Sequence, residues 1–228
     1  MKREAFLQRV QQAAEAGRSH RVSVTDHPDT VGYVGAGGTL HERFAAEVQA
    51  NGGVAHVVDG REAARRVIVS LLPEPSPTSA LCWKHGVLDG LGIDELLSNQ
   101  NIVRHDVETL SRLPPDEQRR IMLSAEVGIT SADLAVAETG SLVVCSSPGT
   151  ERVTSLLPPF HIAVVEQRQI VPDLFDLFDE LGKRGQDALP SNLVFISGPS
   201  KTGDIELHLT TGVHGPGQWH VIIVAETA

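Results

Sequence analysis

The run Leu193–Glu206 reads LVFISGPSKTGDIE, an apolar, β-rich segment that passes directly into a polar one marked by glycine and proline. Valine, isoleucine and phenylalanine favour strands, and glycine and proline at this density end regular structure. A polar loop at the end of a strand is where an α/β protein usually places its ligand. We therefore expect a strand at Leu193–Ser197 and a binding loop at Ser197–Glu206.

Outward from this run, apolar segments and helical patterns alternate along most of the chain. The predicted strands are Val54–Val58, Thr78–Trp83, Ile102–His105, Ile162–Val165, Leu193–Ser197 and Trp219–Ala225. The predicted helices are Thr39–Ala50, Glu62–Leu72, Ile93–Ser98, Pro114 to about Val127, and Asp173–Lys183. This alternation is typical of an α/β fold with a largely parallel sheet flanked by helices. Gly140 separates two further apolar runs, Leu134–Ala137 and Leu142–Cys145, which predicts a hairpin and therefore a mixed sheet.

The first residues of the chain are predicted to lie outside the main domain. Phe6, Leu7 and Val10 fall at helical spacing and predict an amphipathic helix, which packs on its own domain or binds a partner. An irregular connector rich in His, Pro and Gly follows it. We expect this helix and connector to occupy residues 1–38 and an α/β domain to occupy residues 39–228.

The composition limits the classes of function. With 19 basic and 29 acidic residues, a net charge of −10 and no Lys/Arg cluster, the chain is not expected to bind nucleic acid. Cys82 and Cys145 are far apart, so they cannot by themselves hold an iron–sulfur cluster or a structural zinc. No two histidines have H-x-H or H-x-x-x-H spacing, so no metal site is expected. No apolar run approaches the roughly 20 residues of a membrane span, which predicts a cytoplasmic protein.

The glycine-marked loop resembles a phosphate-binding P-loop only in part. Its two glycines, Gly198 and Gly203, have the P-loop spacing, but Asp204 and Ile205 occupy the positions where that motif requires Lys and Ser/Thr. An ATPase is therefore a poor interpretation. Successive backbone N–H groups in such a loop still suit an anion. The alternative is a well-capped surface turn.

Several side chains in and near this loop could contact the same anion. Those expected to donate hydrogen bonds are Ser200, Lys201, Thr202 and His214, with Gly215 beside them. Asp204 could orient them or accept from a ligand hydroxyl. Arg152 could bind a carboxylate through two hydrogen bonds, although a solvated side chain is the simpler expectation.

The segment Ala137–Ser141 reads AETGS and places a carboxylate at the end of a predicted strand. A partly desolvated Glu138 would have a raised pKa and could act as a nucleophile or general base. Alternatively, Glu138 accepts backbone hydrogen bonds and only braces the turn. Thr139, Gly140 and Ser141 would contribute hydrogen bonds to a ligand in the first case.

Four motifs in order resemble the lactate-utilization protein C family, the LUD domain. They are AETGS at 137–141, LLPPFHI at 156–162, SGPSKTGDIE at 197–206 and GVHGP at 212–216. The resemblance implies a fold related to the NagB/RpiA/CoA-transferase group and a role beside an iron–sulfur complex that oxidises L-lactate to pyruvate. Because this chain lacks the cysteines for clusters, iron–sulfur cofactors are expected only on partner subunits. CoA transferases of that fold group use a Glu before a small turn, to which Glu138-Thr139-Gly140 is similar.

The resemblance, taken with the polar segments, implies an accessory protein of L-lactate utilization that binds a small anionic ligand or a partner subunit. In that interpretation, Glu138 and Asp204 act as acid–base groups or bind hydroxyls. The residues expected to bind the ligand are Thr139, Gly140, Ser141, Gly198, Ser200, Lys201, Thr202, Gly203, His214 and Gly215. The alternatives are an isomerase or acyl/CoA transferase that uses Glu138, and an assembly module that uses the N-terminal helix. Association into a homo-oligomer stays open.

Overall fold

The structure, a computed structural model, describes residues 3–16, 39–184, 190–203 and 209–225. The chain divides into two compact units, Met1–Val34 and Gly35–Ala228. In the first unit the described residues form helix α1 (Arg3–Ala16), which exposes Phe6 and Val10. The connector that follows α1 lies outside the described residues.

The second unit is an α/β domain. Its helices are α2 (Leu40–Ala50), α3 (Gly60–Leu71), α4 (Gly86–Gly90), α5 (Ile93–Asn99), α6 (Val107–Leu110), α7 (Pro115–Ser124) and α8 (Leu174–Lys183). Its strands are β1 (Val54–Asp59), β2 (Ser79–Cys82), β3 (Val103–His105), β4 (Val127–Thr130), β5 (Leu134–Val136), β6 (Ser141–Cys145), β7 (Phe160–Glu166), β8 (Ile170–Val171), β9 (Leu193–Ile196), β10 (Lys201–Gly203), β11 (Leu209–Thr211) and β12 (Gln218–Ala225). Short 3₁₀ turns cover Arg152–Ser155 and Gln167–Gln169.

The strands form one large sheet and two small ones. Six strands pair in the order β1-β12-β7-β4-β2-β3, and every neighbouring pair is parallel. A four-stranded sheet has the order β8-β5-β6-β9, in which only β5 and β8 are parallel. β10 and β11 form an antiparallel hairpin. The predicted fold class, a mixed and largely parallel α/β architecture flanked by helices, is confirmed.

Three apolar clusters hold these elements together. The first joins α3, α4 and α5 to one face of the six-stranded sheet around Ile162 and Ile222. The second joins α2 and the four-stranded sheet to the same large sheet through Phe44, Leu142 and Val221. The third packs α8 on the four-stranded sheet. Because the large sheet is covered by both the first and the second cluster, its central strands are almost continuously buried, as parallel strands require.

Two details of the predicted elements are wrong. The helix predicted to reach Val127 ends at Ser124, because Ala125 takes an extended conformation and Val127 begins the fully buried strand β4. The hairpin around Gly140 does not join the large sheet. It belongs to the separate four-stranded sheet, so the large sheet is entirely parallel.

Candidate functional site

A cleft of about 320 Å³ brings together segments that lie far apart in the sequence. His161 and Trp219, each the second residue of its strand, line it at the amino ends of β7 and β12, two central strands of the large sheet. The end of β9 and the residues after it form one wall, and His214–Pro216 form another. The 3₁₀ turn Arg152–Ser155 contributes to its edge. Three of the four family-like motifs therefore line one cavity.

The two wall segments are bound to each other by hydrogen bonds. The backbone N–H of Ser200 donates to the Pro216 carbonyl at 2.8 Å, and the N–H of Gly212 donates to the Ser200 carbonyl at 2.9 Å. The N–H of His214 donates to the Ser200 hydroxyl at 3.3 Å. The Ser200 amide already donates to a carbonyl, and strand β10 begins at Lys201. The loop expected to bind an anion through the backbone N–H groups of residues 198–203 is therefore shorter than predicted.

The end of α2 supports the same wall. Lys201 Nζ donates to the Asn51 carbonyl at 2.6 Å, at the carboxyl end of α2, where the helix dipole favours a cation. Gly198 has a φ of +119° and lies so close that an added Cβ would be 2.7 Å from the Asn51 carbonyl oxygen. Only glycine fits this position without strain. The turn after β9 is thereby fixed against α2.

The AETGS turn lies behind this wall and does not line the cleft. Ser141 Oγ lies 2.6 Å from Ser197 Oγ and 2.8 Å from Thr139 Oγ1, while Asn51 Nδ2 donates to the Thr139 carbonyl at 2.8 Å. Glu138 is bound through its backbone N–H to the Pro172 carbonyl at 3.0 Å. The turn thus supports the cleft through Ser197 and Asn51.

The predicted site residues divide into three groups. Those that line the cleft are Gly198, Ser200, Lys201, His214 and Gly215. Those absent from the described lining are Glu138, Thr139, Gly140, Ser141, Thr202 and Gly203, of which the last two lie in the β10–β11 hairpin. Asp204 lies outside the described residues. Its proposed role as an acid–base group stays a prediction.

The edge of the cleft is positively charged. Arg152 and Lys201 are exposed and line it, and no Asp or Glu appears among the described lining residues. No ion pair joins either cation to a carboxylate within the described ranges. The chain as a whole has a net charge of −10, so the positive charge at the cleft edge is opposite in sign to that of the protein. Such a cleft attracts small anions.

The floor of the cleft is polar but uncharged. His161 and Trp219 are register neighbours on adjacent strands and are only 1% and 2% exposed. His161 Nε2 lies 2.8 Å from Thr130 Oγ1, whereas His161 Nδ1 and Trp219 Nε1 have no hydrogen-bond partner among the described residues. Burial lowers the pKa of His161 to about 3, so its ring is neutral near pH 7.

Sequence reasoning missed this floor. His161 stands inside the LLPPFHI motif that carried the family resemblance, so the motif contained a signal for it. Trp219 gave no signal beyond a strand pattern, because its position beside His161 depends on the pairing of β12 with β7. Arg152 was expected to be solvated, and it is exposed at the cleft edge.

The buried neutral histidine predicts acid sensitivity. The unfolded chain binds a proton on this ring at a pKa near 6.5, whereas the folded state does so only near pH 3, so between these values the unfolded state holds more protons. Stability is therefore full above pH 6.5 and falls as the pH drops toward 3. Urea unfolding at pH 7.5 and 5.5 should show that His161→Phe removes about 1.4 kcal/mol of the acid-induced loss. An equal loss in the variant and the wild type would contradict this.

The described residues contain neither a metal-binding cluster nor a membrane-spanning helix. Within the described ranges, no three His, Cys, Asp or Glu side chains come together in a group that could hold a metal ion. The expectation of no cofactor in this chain stays a prediction. Among the described helices, none combines the length and the apolar character needed to cross a bilayer.

Comparisons with known proteins agree with the motifs. The LUD domain profile matches residues 41–224. Lactate utilization protein C of Halalkalibacterium halodurans is 33% identical over 163 residues, covering 71% of this chain and 69% of that protein. Lactate utilization protein C of Exiguobacterium sp. is 39% identical over 112 residues, and the chain spans about half of its length (49%).

A solved structure supports the fold alone. The crystal structure of a DUF162 family protein from Deinococcus radiodurans has a TM-score of 0.57 and 20% identity, covering 81% of this chain and 96% of that one. The profile match spans most of the chain, including all four motifs. The chain therefore belongs to the LUD domain family.

Proposed function

We propose that this protein acts in lactate utilization as an accessory protein and that its cleft binds a small anionic ligand. The observation that carries the ligand proposal is the convergence of three motifs on one cavity with a cationic edge and no carboxylate in its described lining. The first part rests on relatives named lactate utilization protein C. Deletion of the gene in its source organism should abolish growth on L-lactate, and normal growth would contradict this role.

Arg152 is the group expected to contribute most to anion binding. Lys201 is already engaged with the carboxyl end of α2, whereas Arg152 has no described carboxylate partner. A guanidinium can donate two parallel hydrogen bonds to a carboxylate. The hydrogen bonds of such a charged pair contribute roughly 1.5–3 kcal/mol.

Arg152→Gln should therefore raise the dissociation constant for pyruvate or L-lactate at least about tenfold. Isothermal titration calorimetry measures this, and affinity should also fall as salt is added. Arg120→Gln is the matched control, since Arg120 is an exposed arginine on α7 that does not line the cleft. Equal loss in both variants, or no heat with either compound or with phosphate, would count against the ligand proposal.

We also propose that the protein works beside iron–sulfur oxidoreductase subunits. Helix α1 supports a role in assembly, because it exposes Phe6, Leu7 and Val10. Affinity purification from the source organism should recover cluster-bearing subunits, recognised by their iron content and visible absorption. The same purification after removal of residues 1–17 tests whether α1 is needed.

The transferase or isomerase alternative has no specific observation in its favour. Glu138 is absent from the described cleft lining, and its backbone N–H donates to the Pro172 carbonyl. Glu138→Gln should accordingly leave the binding of pyruvate within about twofold of the wild type, by the calorimetric measure used for Arg152. A lost turnover of any acyl or sugar substrate with an unchanged melting temperature would restore the enzyme alternative.

A further inference from the structure

We propose that His161 and Trp219 form a subsite for an uncharged oxygen of the ligand. The ligand is then a short carboxylate that carries a second, uncharged keto or hydroxyl oxygen. This inference rests on the proposed function, because it assumes that the cleft binds an anion. Beyond the proposed function, it specifies which part of the ligand contacts the floor of the cleft and to which chemical class the ligand belongs.

The two floor side chains are held in place by the fold. Trp219 packs its six-membered ring on Gly53, where an added Cβ would lie 2.4 Å from Trp219 Cε3. That edge of the indole is therefore occupied, and the pyrrole edge with Nε1 lies on the other side of the ring. His161 is held by Thr130 through Nε2, which leaves Nδ1 as its other polar atom. Strand pairing places the two residues opposite each other on adjacent parallel strands.

His161 Nδ1 and Trp219 Nε1 are both buried and both lack a hydrogen-bond partner among the described residues. Buried polar groups in native proteins are nearly always hydrogen-bonded, and an exception needs a reason. Five buried side-chain atoms of the described residues lack a partner, and two of them, His161 Nδ1 and Trp219 Nε1, belong to residues that line one cleft on neighbouring strands. Of the other three, Thr154 Oγ1 lies in the 3₁₀ turn at the cleft edge, and His41 Nδ1 and Arg104 Nε belong to residues outside the cleft lining. In the proposed subsite, a ligand oxygen at the floor supplies the partner that these ring nitrogens lack.

The charge distribution decides the orientation of the ligand. The floor holds no charged group, since His161 is neutral and indole does not ionise. A carboxylate buried there would lose its hydration without gaining a counter-charge. The cations Arg152 and Lys201 lie instead at the exposed edge. The carboxylate therefore stays at the edge and an uncharged oxygen points inward.

The hydrogen-bonding capacity of the floor selects the oxygen. Indole N–H only donates, so the ligand atom beside Trp219 must accept. The neutral ring of His161 donates or accepts at Nδ1, depending on its tautomer. A keto oxygen accepts from both rings, and a hydroxyl accepts from Trp219 and donates to His161. A plain alkyl carboxylate leaves both nitrogens unpaired, and a site built to bind an oxygen rejects such an analogue strongly.

The test compares pyruvate, L-lactate and propionate, which share three carbons and a carboxylate and differ in the second oxygen. By calorimetry on the full chain, at least one of the first two should bind at least about tenfold more tightly than propionate. The tighter of the two identifies a keto or a hydroxyl ligand. Propionate binding within about twofold of both would overturn the inference while leaving the anion cleft intact. Binding of phosphate but of none of the three would also overturn the inference, and binding of none of the four would remove the proposed ligand function itself.

Trp219→Phe tests the same point from the protein side. It removes the N–H and keeps an aromatic ring, and loss of an unpaired buried donor need not destabilise the fold. The preference over propionate should fall several-fold in this variant, with propionate binding unchanged. Trp83→Phe is the control, because Trp83 Nε1 already donates to the Glu151 carbonyl at 3.0 Å, and it should change the binding of all three compounds by one factor. An unaltered preference in folded Trp219→Phe would overturn the subsite.

Discussion

Gly140→Ala is expected to lower the free energy of unfolding by about 3 kcal/mol or more. Gly140 has a φ of +61°, where an L side chain is strained. An added Cβ would also lie 2.5 Å from the Glu47 carbonyl carbon and 2.6 Å from the Val48 nitrogen, both backbone atoms of α2. Neither atom can move without shifting the helix. Urea denaturation of the wild type and the variant measures the loss.

Gly60→Ala is the matched control for this prediction. Gly60 also has a positive φ, +74°, but an added Cβ would meet nothing within 4 Å. The control therefore isolates the cost of the backbone conformation, about 1 kcal/mol. The difference between the two variants is the cost of separating the AETGS turn from α2. Equal losses would show that contact with α2 contributes nothing.

Gly128→Ala should have the second large effect, on both stability and binding. An added Cβ on this β4 residue would lie 2.1 Å from the Thr154 carbonyl oxygen. The 3₁₀ turn Arg152–Ser155 must then move away from the sheet, at a cost of about 2–3 kcal/mol. Because that turn carries Arg152, pyruvate binding should weaken at least as much as in Arg152→Gln.

Unfolding and calorimetry on the same preparation separate the two effects of Gly128→Ala. Gly86→Ala serves as the control, since Gly86 has no atom within 4 Å of an added Cβ and no positive φ. It should match or slightly exceed the wild type in stability, because it lies in helix α4. If Gly128→Ala bound pyruvate normally, the turn would not be part of the site.

The fold class followed from local patterns, and the pairing of strands did not. Apolar runs such as Ile162–Val165 predicted strands because their residue types suit a buried sheet. β4 was missed because Val127–Thr130 includes a glycine and directly follows a helical pattern. The separation of the Gly140 hairpin into its own sheet depends on tertiary packing, which periodicity does not encode.

The sequence predicted residues in the walls of the candidate site but not the residues of its floor. Glycine and serine density identified Gly198 and Ser200, because loops with such composition leave a distinct local signal. Asn51 has no such signal, although it binds both Lys201 and the Thr139 carbonyl. His161 and Trp219 become neighbours only through the register of two parallel strands. Convergence of this kind is a property of the folded sheet.

The order of strands also has a consequence for biosynthesis. β12, the last of the described strands, is inserted between β1 and β7 in the large sheet. Until Ala225 has left the ribosome, β1 and β7 each present an unpaired strand edge to other nascent chains. Translation stalled before this point yields a polypeptide with neither a complete sheet nor a Trp219 floor, and such products should aggregate or depend on chaperones.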